Sequence, residues 1–311
     1  MLYNLYYNDN QKFIINSITR EDLMNLKNFF KACAGALLYF AIYYGWQLIA
    51  ANWASFAAAW YAMITAGEIP PAGSAEYIDW MIAIENDVYE LIMKYSLHLT
   101  LISGILALVT FFIIMKARKK RPLADIGLTR LNPWLAVELF GLGAALNVFV
   151  TFAMSIIPFP VEWVNSYTES SSLIADANIV ISIIVTVISA PIVEEVTFRG
   201  FMYGQLKKGM PMFAAMLISS WVFGMVHGDI IWFLYAFALG VLLVYVFEKC
   251  GSLTASVIVH MAFNLFGSLT GLLGEMSETT FFILLVSSGL VSLALLIHIG
   301  KSSERKISFL K

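Results

Sequence analysis

Charge is scarce in this 311-residue chain. Asp, Glu, Lys and Arg together make 13% of it, against about a quarter in a soluble domain of similar length, so it cannot cover itself with polar surface. The formal net charge is -2, and neither that balance nor any basic run suggests nucleic acid as a partner. Cysteine is nearly absent. Cys33 and Cys250 are the only two, and their spacing suggests neither a metal site nor a disulfide framework. No HExxH occurs, which removes the motif of the common zinc peptidases. Internal repeats and low-complexity tracts are not found by eye. Nor is the inverted symmetry that usually marks a secondary transporter. Met1 to Leu26 lacks an apolar h-region, so no cleavable signal peptide is expected and the first spanning helix should act as the signal.

What is abundant is hydrocarbon-soluble sequence: 60% hydrophobic and 14% aromatic residues, with a mean hydropathy of +0.78. A bilayer core takes about 20 apolar residues per helix. On that measure the chain reads as an all-α polytopic membrane protein with about eight transmembrane helices around a polar intramembrane cavity. The expected spans are 28–50, 97–115, 134–157, 174–193, 212–227, 231–247, 253–271 and 280–298. Between the first two, 51–93 starts apolar and aromatic (Trp53, Phe56, Trp60, Tyr61) and turns acidic, with a Pro70-Pro71 turn signal. It reads as an extracytoplasmic loop with interfacial helices. Basic residues collect in alternate loops, most densely at Lys116, Arg118, Lys119, Lys120 and Arg121. By the positive-inside rule both termini, including the 301–311 tail, should be cytoplasmic in a multi-pass protein of the cell membrane.

Three polar clusters interrupt the apolar second half: Glu194-Glu195 with Arg199, then His227, then His260 with Asn264. A charge in the bilayer costs roughly 2.5–3.5 kcal/mol on insertion scales, so these groups need partners or a function. Arg199 follows Glu195 by four residues, a spacing that lets them pair on a helix. Glu194 then points about 100° away and faces a cavity. Pro191 should kink or break this helix one turn before the glutamates. His227 shares a helical face with Phe223, and His260 shares one with Asn264. His98 and His298 stand singly, with no carboxylate or amide one turn away.

This set can hydrolyse an amide. Glu194, helped by His227, can activate water, while His260 and Asn264 can supply oxyanion donors. The same atoms also allow a zinc site built from Glu194, His227 and His260 with an open position for water. The sequence leaves both open. If α-helical segments stop where the spans suggest, Glu194 and His227 lie about 22 Å apart. Their meeting would demand a tilted or re-entrant segment.

Glu-Glu-Val-Thr-Phe-Arg-Gly at 194–200, Phe223-x-x-x-His227 and His260-x-x-x-Asn264 together resemble the CPBP family, the type II CAAX prenyl endopeptidases and their Abi or bacteriocin-processing relatives. The resemblance implies a catalytic membrane domain over 131–300, following an N-terminal membrane region over 1–130. It also implies Glu194 as the water-activating base beside His227, oxyanion stabilisation by His260 and Asn264, and support from Glu195 and Arg199. Metal dependence stays open within the family. A peptide or lipidated peptide would be the substrate, in contact with membrane lipids. The competing readings are a non-catalytic immunity or scaffold protein of the same family, and an ion- or proton-coupled transporter using the buried carboxylates as a relay.

Overall fold

The computed structural model describes residues 20–308 apart from 176, 271–273 and 275. Readings made on 1–19 and 309–311 lie outside the described residues. Every regular element among those described is helical. Seven helices are long and apolar enough to cross a membrane, and the protein is a multi-pass membrane protein. In lipid this is the expected economy, because a helix satisfies its own backbone donors and acceptors.

Helix α1 (Arg20–Thr65) and helix α2 (Ala75–Ala117) form an antiparallel hairpin of 46 and 43 residues. At 1.5 Å per residue each exceeds about 60 Å, twice a bilayer core of about 30 Å. The helices expected within 51–93 are present, as extensions of α1 and α2 and not as separate interfacial segments. Only 66–74 is non-helical, and the rest continues α1 and α2. Hydropathy alone cannot see this, because a helix pair needs no apolar face all round once it leaves hydrocarbon. The turn is built as its residues suggest: Gly67 and Gly73 take positive φ, and the Ser74 side chain accepts from the Tyr77 N–H to cap α2. Within the pair the Trp46 indole donates to Thr110 Oγ1 at 2.9 Å.

Helix α3 (Pro133–Ile156) is capped by Asn132 and leads to helix α4 (Val161–Ala175). Helix α5 is the composite span Ile179–Leu206. It does not stop near 193, and Pro191 does not break it. A π-helical stretch, Ile183–Ser189, precedes the proline, and a second, Glu195–Tyr203, follows. Widened turns of this kind absorb a missing donor without ending the helix. Helix α6 (Met212–Met225) has 14 residues, about 21 Å, so the fifth expected span, 212–227, is too short to cross a bilayer core. Helix α7 (Ile230–Cys250) doubles back beside it, capped by Asp229 Oδ1 accepting from the Ile231 N–H at 2.8 Å. Helices α8 (Leu253–Thr270) and α9 (Glu278–Ser308) complete the chain.

Two apolar clusters hold these helices around the polar residues. In one, Tyr39 of α1 stacks on Phe201 of α5 at 4.2 Å between centroids and meets Phe111 of α2 edge-on. The other joins α3, α7, α8 and α9 through Leu139, Leu142, Leu243, Val259 and Ile299. Glycine sets the closest approach. A Cβ on Gly143 of α3 would fall 2.2 Å from the Val259 carbonyl oxygen of α8. These two helices therefore touch backbone to backbone, one residue from His260. Small residues make such contacts where lipid supplies no hydrophobic drive for helix association.

Candidate functional site

Glu194, Glu195 and Arg199 are carried by the middle of α5, where the helix passes from an α-helical turn into its second π stretch. Glu195 and Arg199 are buried to within 1% of full enclosure and pair at 2.9 Å, as their spacing predicts. The guanidinium makes two further contacts. Its second nitrogen donates to the Gly240 carbonyl of α7 at 3.3 Å, and its plane lies 4.3 Å from the Phe223 ring centroid. Phe223 reaches that position because Gly240 has no side chain, so α6 and α7 close to contact at Ser220. Arg199 is thus compensated by a carboxylate, a carbonyl and an aromatic face, which a buried cation requires.

His260 of α8 lies between the two glutamates. Its Nδ1 donates to Glu195 Oε1 at 2.9 Å, and its Nε2 lies 3.7 Å from Glu194 Oε2. A carboxylate on Nδ1 fixes the ring orientation and tautomer. The Ser256 hydroxyl, one turn before His260, donates to the Leu253 carbonyl at 3.0 Å. Glu195 Oε1 therefore serves both Arg199 and His260, while its buried Oε2 has no hydrogen-bond partner among the described residues. Glu194 retains 16% side-chain exposure and is the carboxylate of the pair open to an incoming molecule.

His227 follows the end of α6, where Nδ1 donates to its own Phe223 carbonyl at 2.7 Å. That bond leaves Nε2 as the free acceptor. His227 is close enough to Glu194 and His260 to feel their charges. The 22 Å separation expected from the sequence does not arise, for two reasons. Helix α5 continues to Leu206, which places Glu194 at mid-span, and α6 is short, which stops His227 at a similar depth. No tilted or re-entrant glutamate segment is needed.

Asn264 departs most from the sequence expectation. Its amide nitrogen donates to the Thr186 carbonyl in the first π stretch of α5, at 2.8 Å, so it is engaged with backbone. Among the described residues no three His, Cys, Asp or Glu side chains are placed to hold a metal ion. Both His260 nitrogens face glutamates, and His227 gives Nδ1 to a carbonyl. Outside the site, His298 meets Glu138 of α3 at 3.5 Å on an exposed face, and His98 packs edge-on to Tyr95.

Sequence reasoning missed Tyr43. This α1 residue is 5% exposed, lies edge-on to Phe198 and feels the charge of Glu194, with Gln47 bonded to its hydroxyl. No spacing rule links position 43 to position 194. The only signal is the helical repeat Ala36, Tyr39, Tyr43, which marks a buried face of α1. Tyr43→Phe removes one hydroxyl near Glu194. The expected result is an unfolding temperature unchanged in a thermal scan, since the ring packing against Phe198 is kept.

The family model for "Type II CAAX prenyl endopeptidase Rce1-like" matches residues 176–266, the stretch that carries all three motifs. Bacillus subtilis (strain 168) "Putative membrane peptidase YdiL" is 28% identical over 174 residues, covering 54% of this chain and 68% of that protein. The "UPF0177 protein YxdF" of Lactococcus lactis subsp. lactis (strain IL1403) is 31% identical over 105 residues, covering 33% of this chain and 58% of its own length. No solved structure matches. Over 176–266 the chain is therefore similar to the type II CAAX prenyl endopeptidases, in agreement with the resemblance its three motifs carry.

Proposed function

We propose that this protein is an intramembrane endopeptidase that hydrolyses a peptide bond with water activated by Glu194. The observation that carries the reading is the division of the glutamate pair: Glu195 is bound by Arg199 and His260, while Glu194 is left partly exposed beside His260. A group free of structural duty, held next to an imidazole inside a bilayer, fits a general base.

Glu194 takes one proton from a water molecule, and the resulting hydroxide oxygen bonds to the carbonyl carbon of the substrate. The carbonyl π electrons move to oxygen and form a tetrahedral oxyanion. His260 stabilises that charge through Nε2–H, its ring held in place by Glu195 on Nδ1. Collapse breaks the C–N bond, and the proton held by Glu194 passes to the leaving nitrogen. One acid and one amine result, and Glu194 returns to its starting state. His227 orients the water through its free Nε2. Tyr43 supplies a hydroxyl near Glu194 from outside the matched segment.

The test is cleavage in proteoliposomes of two fluorogenic peptides ending in a CAAX sequence, one farnesylated and one bare, with products mapped by mass spectrometry. With water activated by Glu194 alone, cleavage should persist within about twofold in 1,10-phenanthroline. Inhibition restored by added zinc would overturn the metal-free mechanism. Intact peptides throughout would instead favour a non-catalytic family member.

A further inference from the structure

We propose that Asn264 is a positioning residue that replaces the backbone donor missing at Pro191 and so holds the helical register that aims Glu194. The inference deepens the peptidase reading, and its stability arm does not depend on that reading.

In the π stretch Ile183–Ser189 each N–H reaches back five residues, and the Ala190 N–H is bonded to the Val185 carbonyl in that register. The next donor should be residue 191, and its acceptor the Thr186 carbonyl. Residue 191 is proline and has no N–H. The Thr186 carbonyl is therefore the acceptor that Pro191 leaves vacant, at a depth where lipid offers no replacement. The Asn264 amide fills that vacancy from α8 at 2.8 Å.

The consequence reaches the glutamates because of where Asn264 lies on α8. It is one turn beyond His260, on the same helical face. That face therefore grips α5 at two levels, by Asn264 on the Thr186 carbonyl and by His260 on Glu195 and Glu194. A π insertion closed by one residue would rotate everything after it by about 100°. Glu194, three residues beyond Pro191, would turn from His260 toward lipid. The proline excludes the α-helical partner at that point, and the asparagine makes the alternative register tolerable.

The experiment is a cycle of Asn264→Leu, Pro191→Ala and both together, in nanodiscs. Leucine keeps the shape of asparagine but donates nothing, whereas alanine at 191 restores a native N–H for the Thr186 carbonyl. N264L should lower the unfolding temperature by about 4 °C or more and slow cleavage of the farnesylated CAAX peptide about a hundredfold. The double variant should recover most of both. An asparagine acting on the oxyanion itself would not be rescued from α5, so a double variant as slow and as unstable as N264L overturns the proposal. Should N264L fail to accumulate in membranes, accumulation is the readout: recovery with P191A supports the coupling, and continued absence overturns it. If the wild type leaves the peptide intact, the peptidase reading fails, while the temperature cycle still decides whether Asn264 and Pro191 are coupled.

Discussion

Glu194→Gln should yield a folded, membrane-inserted protein that cleaves its peptide at least 10²–10⁴-fold more slowly, about the contribution of a general base. The substitution keeps the shape and the hydrogen-bonding reach of the side chain. What it removes is the capacity to accept a proton from water. Folding should survive because, among the described residues, the ion pair that holds Glu194 is its 3.7 Å approach to His260, while Arg199 relies on Glu195. The two effects separate by measurement: initial rates on the farnesylated CAAX peptide for chemistry, and a thermal scan of the same sample for structure. Full activity in the stable mutant would sink the assignment of Glu194 as base. A mutant that loses activity and stability together would show that Glu194 has a structural duty the geometry does not reveal.

The largest expected effect on stability belongs to Arg199→Met. Methionine fills similar volume but leaves Glu195 buried with His260 as its main partner. Truncating one side of a buried ion pair costs about 3–5 kcal/mol, because the remaining charge stays without its solvent or its counterion. The contact with Phe223 and the bond to the Gly240 carbonyl are lost as well. Removing both charges, as Glu195→Gln with Arg199→Met, should recover much of the loss. An arginine needed only for its bulk would give no such recovery. Unfolding of the four proteins in graded denaturing detergent measures the cycle directly. Equal stability of R199M and the wild type would mean that Glu195 is neutral in the native protein.

The chemistry of the site was more legible in the sequence than its depth. Glu195 and Arg199 declared themselves by a spacing of four, and Glu194 by being the carboxylate that spacing leaves over. Burial of the pair and exposure of its neighbour follow that reading. Span boundaries were less legible, because a π-helical turn is made of the same apolar residues as an α-helical one. Pro191 therefore looked like an ending and is an interior residue of α5. The long α1–α2 hairpin was hidden for a related reason: hydropathy reports lipid contact, and helices continue beyond it. Asn264 read as a donor to substrate because its observed partner is a main-chain carbonyl, which has no letter in the sequence. Tyr43 was invisible because nothing in a single chain ties a tyrosine in the first helix to a glutamate in the fifth.

The brevity of α6 has a consequence for the lipid itself. Phe213, Ile218, Trp221 and Met225 present an exposed apolar flank, yet the helix is about 9 Å shorter than the surrounding hydrocarbon. Hydrophobic mismatch of that sign is relieved by local thinning of the bilayer. Headgroups and the water they carry are drawn down on that flank toward the turn that holds His227. A polar cluster buried in oil needs a route to water, and here a truncated helix brings the wet boundary toward it.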